Sequence, residues 1–385
     1  MERLLDHLRG RRDEMVALLR ELAAMESPSR SPEAQEPLFA RLAAELRDVG
    51  LRPRRLSGPP GKRLSGGQMF AAPPHPRKPG QLLVGHCDTV WPVGTLDGMP
   101  VELRDGRLYG PGTYDMKAGL VQGIFALRAI RDLGLEPPLA PAFFINSDEE
   151  LGSLESADRV RRLARRVRRV FVLEPSLGPE GRLKTARKGV WRFRVAVRGR
   201  AAHSGLDPEK GASAVLALAH LVQALYALAD PTRGVTVNVG VIGGGVTFNV
   251  VAPEAWAEVD VRVLRGEDGE AFERALRALQ SRQPAVPGTS FEVTGGMNRY
   301  PLEPNPRNRA LWHAAERCAR RLGLELGEGT AGGGSDGNFT SEHAATLDGL
   351  GAVGDGAHAV HEHVVIDRMP ERAALLAGLL LEPVV

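Results

Sequence analysis

The chain reads as an α/β protein: a mostly parallel sheet flanked by helices, interrupted by an inserted α+β domain built on an antiparallel sheet. Three observations predict this. In the first half, short near-continuous apolar runs alternate with helical patterns, as strands covered on both faces do. From residue 191 the apolar residues fall instead at every second position, the mark of a sheet wet on one face. After residue 300 a helical pattern and a final α/β stretch return. At 385 residues the chain exceeds what one core usually serves, so we place domain boundaries at 1–187, 188–299 and 300–385, with the first and third parts forming one domain.

The elements follow in order. The N-terminal run MERLLDHLRGRRDEMVALLREL spaces its apolar residues as an amphipathic helix and has no signal-peptide core. Residues 52–78, Pro-rich at their end, read as a loop. Residues 81–86 (QLLVGH), 140–147 (APAFFINS) and 170–175 (VFVLEP) read as buried strands, and residues 117–133 as a helix between the first two. That is a βαβ rhythm. In the insert, residues 191–199, 235–244 and 255–264 alternate as strands, and residues 211–228 and 269–278 as helices. Residues 307–322 form a further helix, ahead of a Gly-rich turn and the last α/β segment. The most apolar stretch, residues 212–229, contains His220 and Gln223, which favours a buried or interface helix over a membrane span.

Composition excludes several classes. With 50 basic against 47 acidic residues the net charge is only +3, no nucleic-acid signature. The run RVRRLARRVRRV, residues 159–170, places Val160, Leu163, Ala164, Val167 and Val170 on one helical stripe, so its arginines read as a solvated face. LSGGQ, residues 64–68, matches a transporter-ATPase signature, but no G-x-x-x-x-G-K-[ST] phosphate loop accompanies it. Two cysteines, Cys87 and Cys318, are too few for a disulfide framework. The expectation is a soluble cytoplasmic protein with neither nucleic acid nor membrane as a partner.

The chemistry gathers at strand ends. Residues 143–150, FFINSDEE, carry an apolar strand into three consecutive carboxylates, a costly crowding unless the loop is solvated or a cation sits there. GHCDT puts His86 and Asp88 on one side of a strand end. GTYDMKAG puts Asp115 just before a helix, where an N-cap is the ordinary use; VLEP brings Glu174, and GDGAH brings His358 in a glycine-rich turn. Each alone suits an ordinary loop. Together, two histidines and three or four carboxylates beyond the strands of an open sheet, where ligands bind, are the donors for two borderline cations sharing a carboxylate.

The ordered set GHCDTVWP, GPGTYDMKAG, NSDEELGS, VLEP, AHSG and GDGAH resembles the zinc-dependent exopeptidases and deacylases that include carboxypeptidase G, acetylornithine deacetylase, succinyl-diaminopimelate desuccinylase and aminoacylase. DTVWP with GPGTYDMKAG is most similar to the glutamate-carboxypeptidase branch. The resemblance implies two Zn²⁺ per chain, with Co²⁺ or Mn²⁺ able to substitute. It makes Asp115 the bridge, adds His86 and Glu174 to one ion, and adds Glu150 and His358 to the other. Asp88 would orient His86, and Glu149 would be the general base on the water between the ions. His361 and His363 lie close by, but only His358 follows the Gly-Ala turn the family uses. The Asp115–Met116 peptide would be cis. In the insert, a lid and dimerisation domain by this resemblance, His203 would polarise the scissile carbonyl in the partner subunit of a homodimer. Asn249 would help it, Arg262 would hold a substrate carboxylate, and Gly333 and Gly334 would offer backbone N–H groups. The implied reaction is hydrolysis of an amide beside a free carboxylate in a small peptide. The alternatives are an N-acyl-amino-acid deacylase and a catalytically silent metal-binding protein.

Overall fold

The computed structural model describes residues 1–58, 64–74, 79–282 and 284–383. It divides into two compact units: residues 1–185, 304–331 and 335–385 form the first, and residues 186–303 with 332–334 the second.

The first unit is built on a six-stranded sheet in the order Arg52–Leu56, Gln68–Ala72, Ala140–Asn146, Pro79–His86, Arg169–Val172, Ala345–Leu347. The last four strands run parallel, and the first two join antiparallel at one edge. Alternation along the buried strands feeds two cores. Leu83, Phe143, Ile145 and Phe171 pack on one face with Leu120, Ile124 and Leu376, from the helices Ala118–Asp132 and Met369–Leu381. Leu82, Val84, Ala142, Phe144, Val170 and Val172 pack on the other with Val160 and Phe339. Full burial on both faces is why these strands carry apolar residues without a break. Because the central strands are parallel, their C-terminal ends share one edge, and the chain leaves that edge at His86, after Asn146 and after Val172.

The second unit is a four-stranded antiparallel sheet in the order Thr236–Gly244, Glu254–Val263, Gly189–Arg198, Ser290–Arg299. Trp191, Phe193, Val195 and Val197 face one side, where Leu218, Leu221 and Leu225 of Ala214–Tyr226 and Phe272 and Leu276 of Gly266–Gln280 cover them. The intervening Arg192, Arg194 and Arg198 are exposed, which is the period-two pattern made physical. Among the described residues no helix is long and apolar enough to cross a membrane.

Several expectations need correction. Residues 52–78 are not a loop throughout: 52–56 and 68–72 are strands, while 59–63 and 75–78 lie outside the described residues. The basic run is not one helix. Ala157–Ala164 is helical, and Arg169–Val172 is a strand whose first residue buries its guanidinium on the carbonyls of Leu380, Glu382 and Pro383. The continuous apolar Val170–Val172 wins over the helical spacing because both of its faces are covered. The strand Ser290–Arg299 went unforeseen.

Candidate metal centre

Five segments of the first unit bring the candidate residues together. The strand Pro79–His86 ends on His86, whose Nδ1 lies 3.0 Å from the Asp88 carbonyl oxygen and 3.4 Å from its Oδ1. The nearer acceptor is thus the backbone of residue 88, and it fixes the tautomer that leaves Nε2 bare for a cation. Cys87, between them, points into the apolar core, where burial pushes its thiol pKa up.

Asp115 is not a helix cap. It sits in the irregular turn Thr113–Lys117 with non-helical φ/ψ, and Lys117 occupies the N-cap position of Ala118–Asp132. The Asp115–Met116 peptide is cis, as expected. The carboxylate is divided between two neighbours: Oδ1 lies 3.3 Å from His86 Nε2, and Oδ2 lies 3.6 Å from His358 Nε2. Glu174 Oε1 lies 3.6 Å from His86 Nε2, and Glu150 Oε1 lies 3.0 Å from His358 Nε2. His358 holds a left-handed backbone, φ +60°, uncommon outside glycine and most often tolerated where a site needs the direction it gives.

The three consecutive carboxylates diverge. Asp148 is buried and accepts the backbone N–H of Glu155 and Ser156, closing the turn that opens the helix Ala157–Ala164. Glu149 and Glu150 turn away from it, their own N–H groups donating to Asp88 Oδ1 and Oδ2 at 3.3 and 3.1 Å. Ser29 donates its hydroxyl to Asp88 Oδ2 at 2.7 Å. Asp88 therefore couples the His86 loop to the Glu149–Glu150 loop.

Ligand atoms of His86, Asp115 and Glu150 lie within 4.8 Å of one another, and so do those of His86, Glu149 and Glu174. The electrostatics match. Burial would lower the His86 pKa, but hydrogen bonds to Asp115 and Asp88 hold it well above the ordinary value. Burial would raise Asp115, and His86 pulls it down. Burial pushes Glu150 up to about 7, and its hydrogen bond raises His358 to about 9. Lys184 Nζ stands 3.8 Å from Glu174 Oε2. Imidazoles and carboxylates with no thiolate among them are a donor set for borderline cations such as Zn²⁺, Co²⁺ or Mn²⁺.

The remaining candidates lie in the second unit. His203 is exposed, and its Nδ1 accepts the N–H of Gly205 and Leu206 at 3.1 and 3.2 Å. Since a backbone N–H can only donate, the ring proton of the neutral imidazole sits on Nε2. Asn249 is the near neighbour in the backbone, its carbonyl accepting from the Ser204 N–H. Arg262 lies on the solvent-facing side of its strand, its guanidinium forked onto Asp260 at 2.6 and 3.1 Å. Gly333 and Gly334 direct their carbonyls to Arg187. A Cβ on Gly333 would meet nothing within 4 Å, so no packing of the chain itself demands glycine there.

A model of the peptidase family M20/M25/M40 matches residues 82–382. Carboxypeptidase G2 of Pseudomonas sp. (strain RS-16) is 28% identical over 306 residues, 78% of this chain and 73% of that protein. Succinyl-diaminopimelate desuccinylase of Dechloromonas aromatica (strain RCB) is 27% identical over 319 residues, 78% of this chain and 82% of its own length. Among solved structures, the aminopeptidase PepT of Bacillus cereus ATCC 10987 superposes with a TM-score of 0.77 at 21% identity, over 96% of this chain and 98% of that one. At that identity the likeness shows the fold.

Proposed function

The chain belongs to peptidase family M20/M25/M40, which makes it a metallopeptidase or amidohydrolase, and from that premise we propose a glutamate-carboxypeptidase-like exopeptidase. It would hydrolyse an amide bond beside a free carboxylate. The observation that carries this is the division of Asp115, one oxygen toward His86 and Glu174, the other toward His358 and Glu150. His86, Asp115 and Glu174 would hold one cation, and Asp115, Glu150 and His358 the other. Two Zn²⁺ there would polarise the scissile carbonyl and bring the pKa of a bound water to about 7.

Glu149 takes the proton of the attacking water on its carboxylate and passes it to the leaving amine nitrogen. Asp88 keeps Glu149 in place through its N–H. His203 would offer Nε2–H to the oxyanion that forms in the partner subunit of a homodimer, with Asn249 beside it. Arg262 would take the substrate carboxylate in its fork, in competition with Asp260, and the Gly333–Gly334 turn would offer N–H groups. The homodimer reading rests on the second unit. Its edge strand Thr236–Gly244 exposes Val241 and Ile242, and its helix Ala214–Tyr226 exposes Val215, Leu216 and Tyr226, a surface suited to pairing with a second copy. The cytoplasmic reading rests on two cysteines, both free and buried.

Carboxypeptidase G2 among the relatives supports the carboxypeptidase reading; the desuccinylase keeps N-acyl-amino-acid deacylation as the second reading. Zinc-loaded protein assayed on C-terminal-glutamate dipeptides and on N-acetyl and N-succinyl amino acids separates them. Faster glutamate release supports the first reading. Faster deacylation installs the second, and no turnover on any of them after zinc loading leaves the silent metal-binding protein.

A further inference from the structure

Glu362 stands between two histidines in the run His358-Ala359-Val360-His361-Glu362-His363, and neither the cation chemistry nor the base uses it. It is 1% exposed. Its Oε1 accepts the backbone N–H of Tyr114 and of Asp115, both at 3.0 Å. Its Oε2 accepts the backbone N–H of Gly112 and the indole Nε1–H of Trp91, both at 3.0 Å. Among the described residues no Lys or Arg pairs with it. Burial raises its pKa above the ordinary value, and the N–H donors oppose that rise.

These four donors come from two segments that matter to the centre: Trp91 follows Asp88 by three residues, and Gly112–Asp115 leads into the carboxylate shared by both histidines. Gly112 is left-handed at φ +69°, and a Cβ on it would stand 2.5 Å from Thr89 Cγ2. The turn thus has little freedom once its N–H groups are committed. The backbone of residue 362 ties in the third segment. Its carbonyl accepts from Gly110 N–H, and its N–H donates to Ala359 O, the residue after His358.

We propose that Glu362 is a positioning residue for the metal centre: its carboxylate is the anionic template on which the Gly112–Asp115 turn folds, and it thereby aims the Asp115 carboxylate between His86 and His358. The proposal rests on the reading of Asp115 as the shared ligand. Four convergent donors need an acceptor-only group with two oxygens, which an ionised carboxylate is and a carboxamide is not. An amide nitrogen at either position would face two N–H donors and leave at least one buried donor unpaired.

The test is Glu362→Gln, nearly identical in shape, with Glu362→Ala as the full deletion. Two quantities are read. In chelated protein, the indole ¹⁵N–¹H resonance of Trp91, one of four tryptophans and assigned with Trp91→Phe, reports the anchor without any metal. Zinc affinity, by competition with a chromophoric chelator, reports the centre. We expect the Trp91 signal to move and zinc affinity to fall about 10- to 100-fold in Glu362→Gln, the range for residues that orient ligands. A moved signal with unchanged zinc affinity overturns the proposal, because Glu362 then only packs the loop. An unmoved signal overturns it as well. If parent protein takes up no zinc while the Trp91 signal still moves, the metal reading has failed and the anchor has not. Should Glu362→Ala fail to fold, Glu362→Gln carries both measurements.

Discussion

Replacing Asp88 by Asn probes the residue that joins the two halves of the candidate centre. Asp88 is fully buried and accepts three hydrogen bonds: Ser29 Oγ and Glu150 N on Oδ2, Glu149 N on Oδ1. An Asn side chain keeps one oxygen. Its least costly placement leaves the oxygen at the Oδ2 position, where two donors converge, and turns the amide nitrogen toward the Glu149 N–H. That N–H loses its acceptor, a cost of about 1–3 kcal/mol for a buried donor left unpaired. The loop relieves this by moving Glu149, and a displacement near 1 Å at a reacting group is worth on the order of 10²-fold in rate. His86 is affected less, because its Nδ1 is closer to the Asp88 carbonyl oxygen than to the carboxylate. The expected outcome is therefore a kcat about 10²-fold lower with zinc affinity within about tenfold of the parent. Steady-state kinetics on the best substrate, paired with zinc competition against a chelator, measures both. Zinc affinity collapsing while kcat per zinc-loaded site stays at the parent value would refute the reasoning, because Asp88 would then serve His86 and not the base.

Glu149→Gln and Glu150→Gln should fail differently: the first keeps zinc and loses at least ~10²-fold in kcat, and the second loses affinity for one ion and recovers partly in excess zinc. Since Glu149 also lies within ligand distance of His86 and Glu174, equal zinc loss in both variants would reassign it as a ligand. Zinc and protons compete for Glu150 and His358, whose pKa values are raised to about 7 and about 9. His86, itself held above its ordinary value, competes as well, so zinc affinity should rise by at least about tenfold per pH unit from 7 to 9 and more steeply below 7, with proton release measured by calorimetry in two buffers; a flat profile contradicts the pairing. Mixing His203→Ala chains with Glu149→Gln chains should restore activity in the heterodimer if His203 serves the partner subunit, and sedimentation showing a monomeric active enzyme would end that reading.

The parts of the fold that position the centre were legible because their burial is extreme. Strands covered on both faces have no polar positions to confuse their reading, so residues 81–86 and 140–147 stood out, and the carboxylates and histidines ending them were conspicuous by contrast. What stayed hidden follows from weak exposure contrast. Arg52–Leu56 is an edge strand with three arginines and a proline, the composition that blunts sheet edges and also that of a loop. Ser290–Arg299 carries two adjacent glycines; at Gly295, φ +95°, a Cβ would stand 2.2 Å from the Arg192 carbonyl oxygen. There glycine is demanded by close approach inside a sheet, where sequence reading expects a turn. The basic run misled for the opposite reason, since its valines satisfy helical and extended patterns alike until the covering layers are known.

The side-chain roles divide along the same line. Residue type and order suffice to gather ligand chemistry, because a cation selects imidazole and carboxylate whatever the backbone does. They do not say which carboxylate meets which partner. Asp148, Glu149 and Glu150 are indistinguishable as a string, yet one closes a turn on the N–H groups of Glu155 and Ser156, one lies near His86 and Glu174, and one meets His358. Glu362 is the harder case. Flanked by His361 and His363 it resembles a ligand cluster, while three of its four partners are backbone N–H groups about 250 residues away in sequence, donors that every residue but proline possesses and no sequence pattern marks. A carboxylate that holds a backbone and one that holds a cation differ only in what the fold turns toward them, so the two kinds are separated by what replaces them. An amide in the first place leaves a buried N–H unpaired. In the second it leaves a cation short of charge.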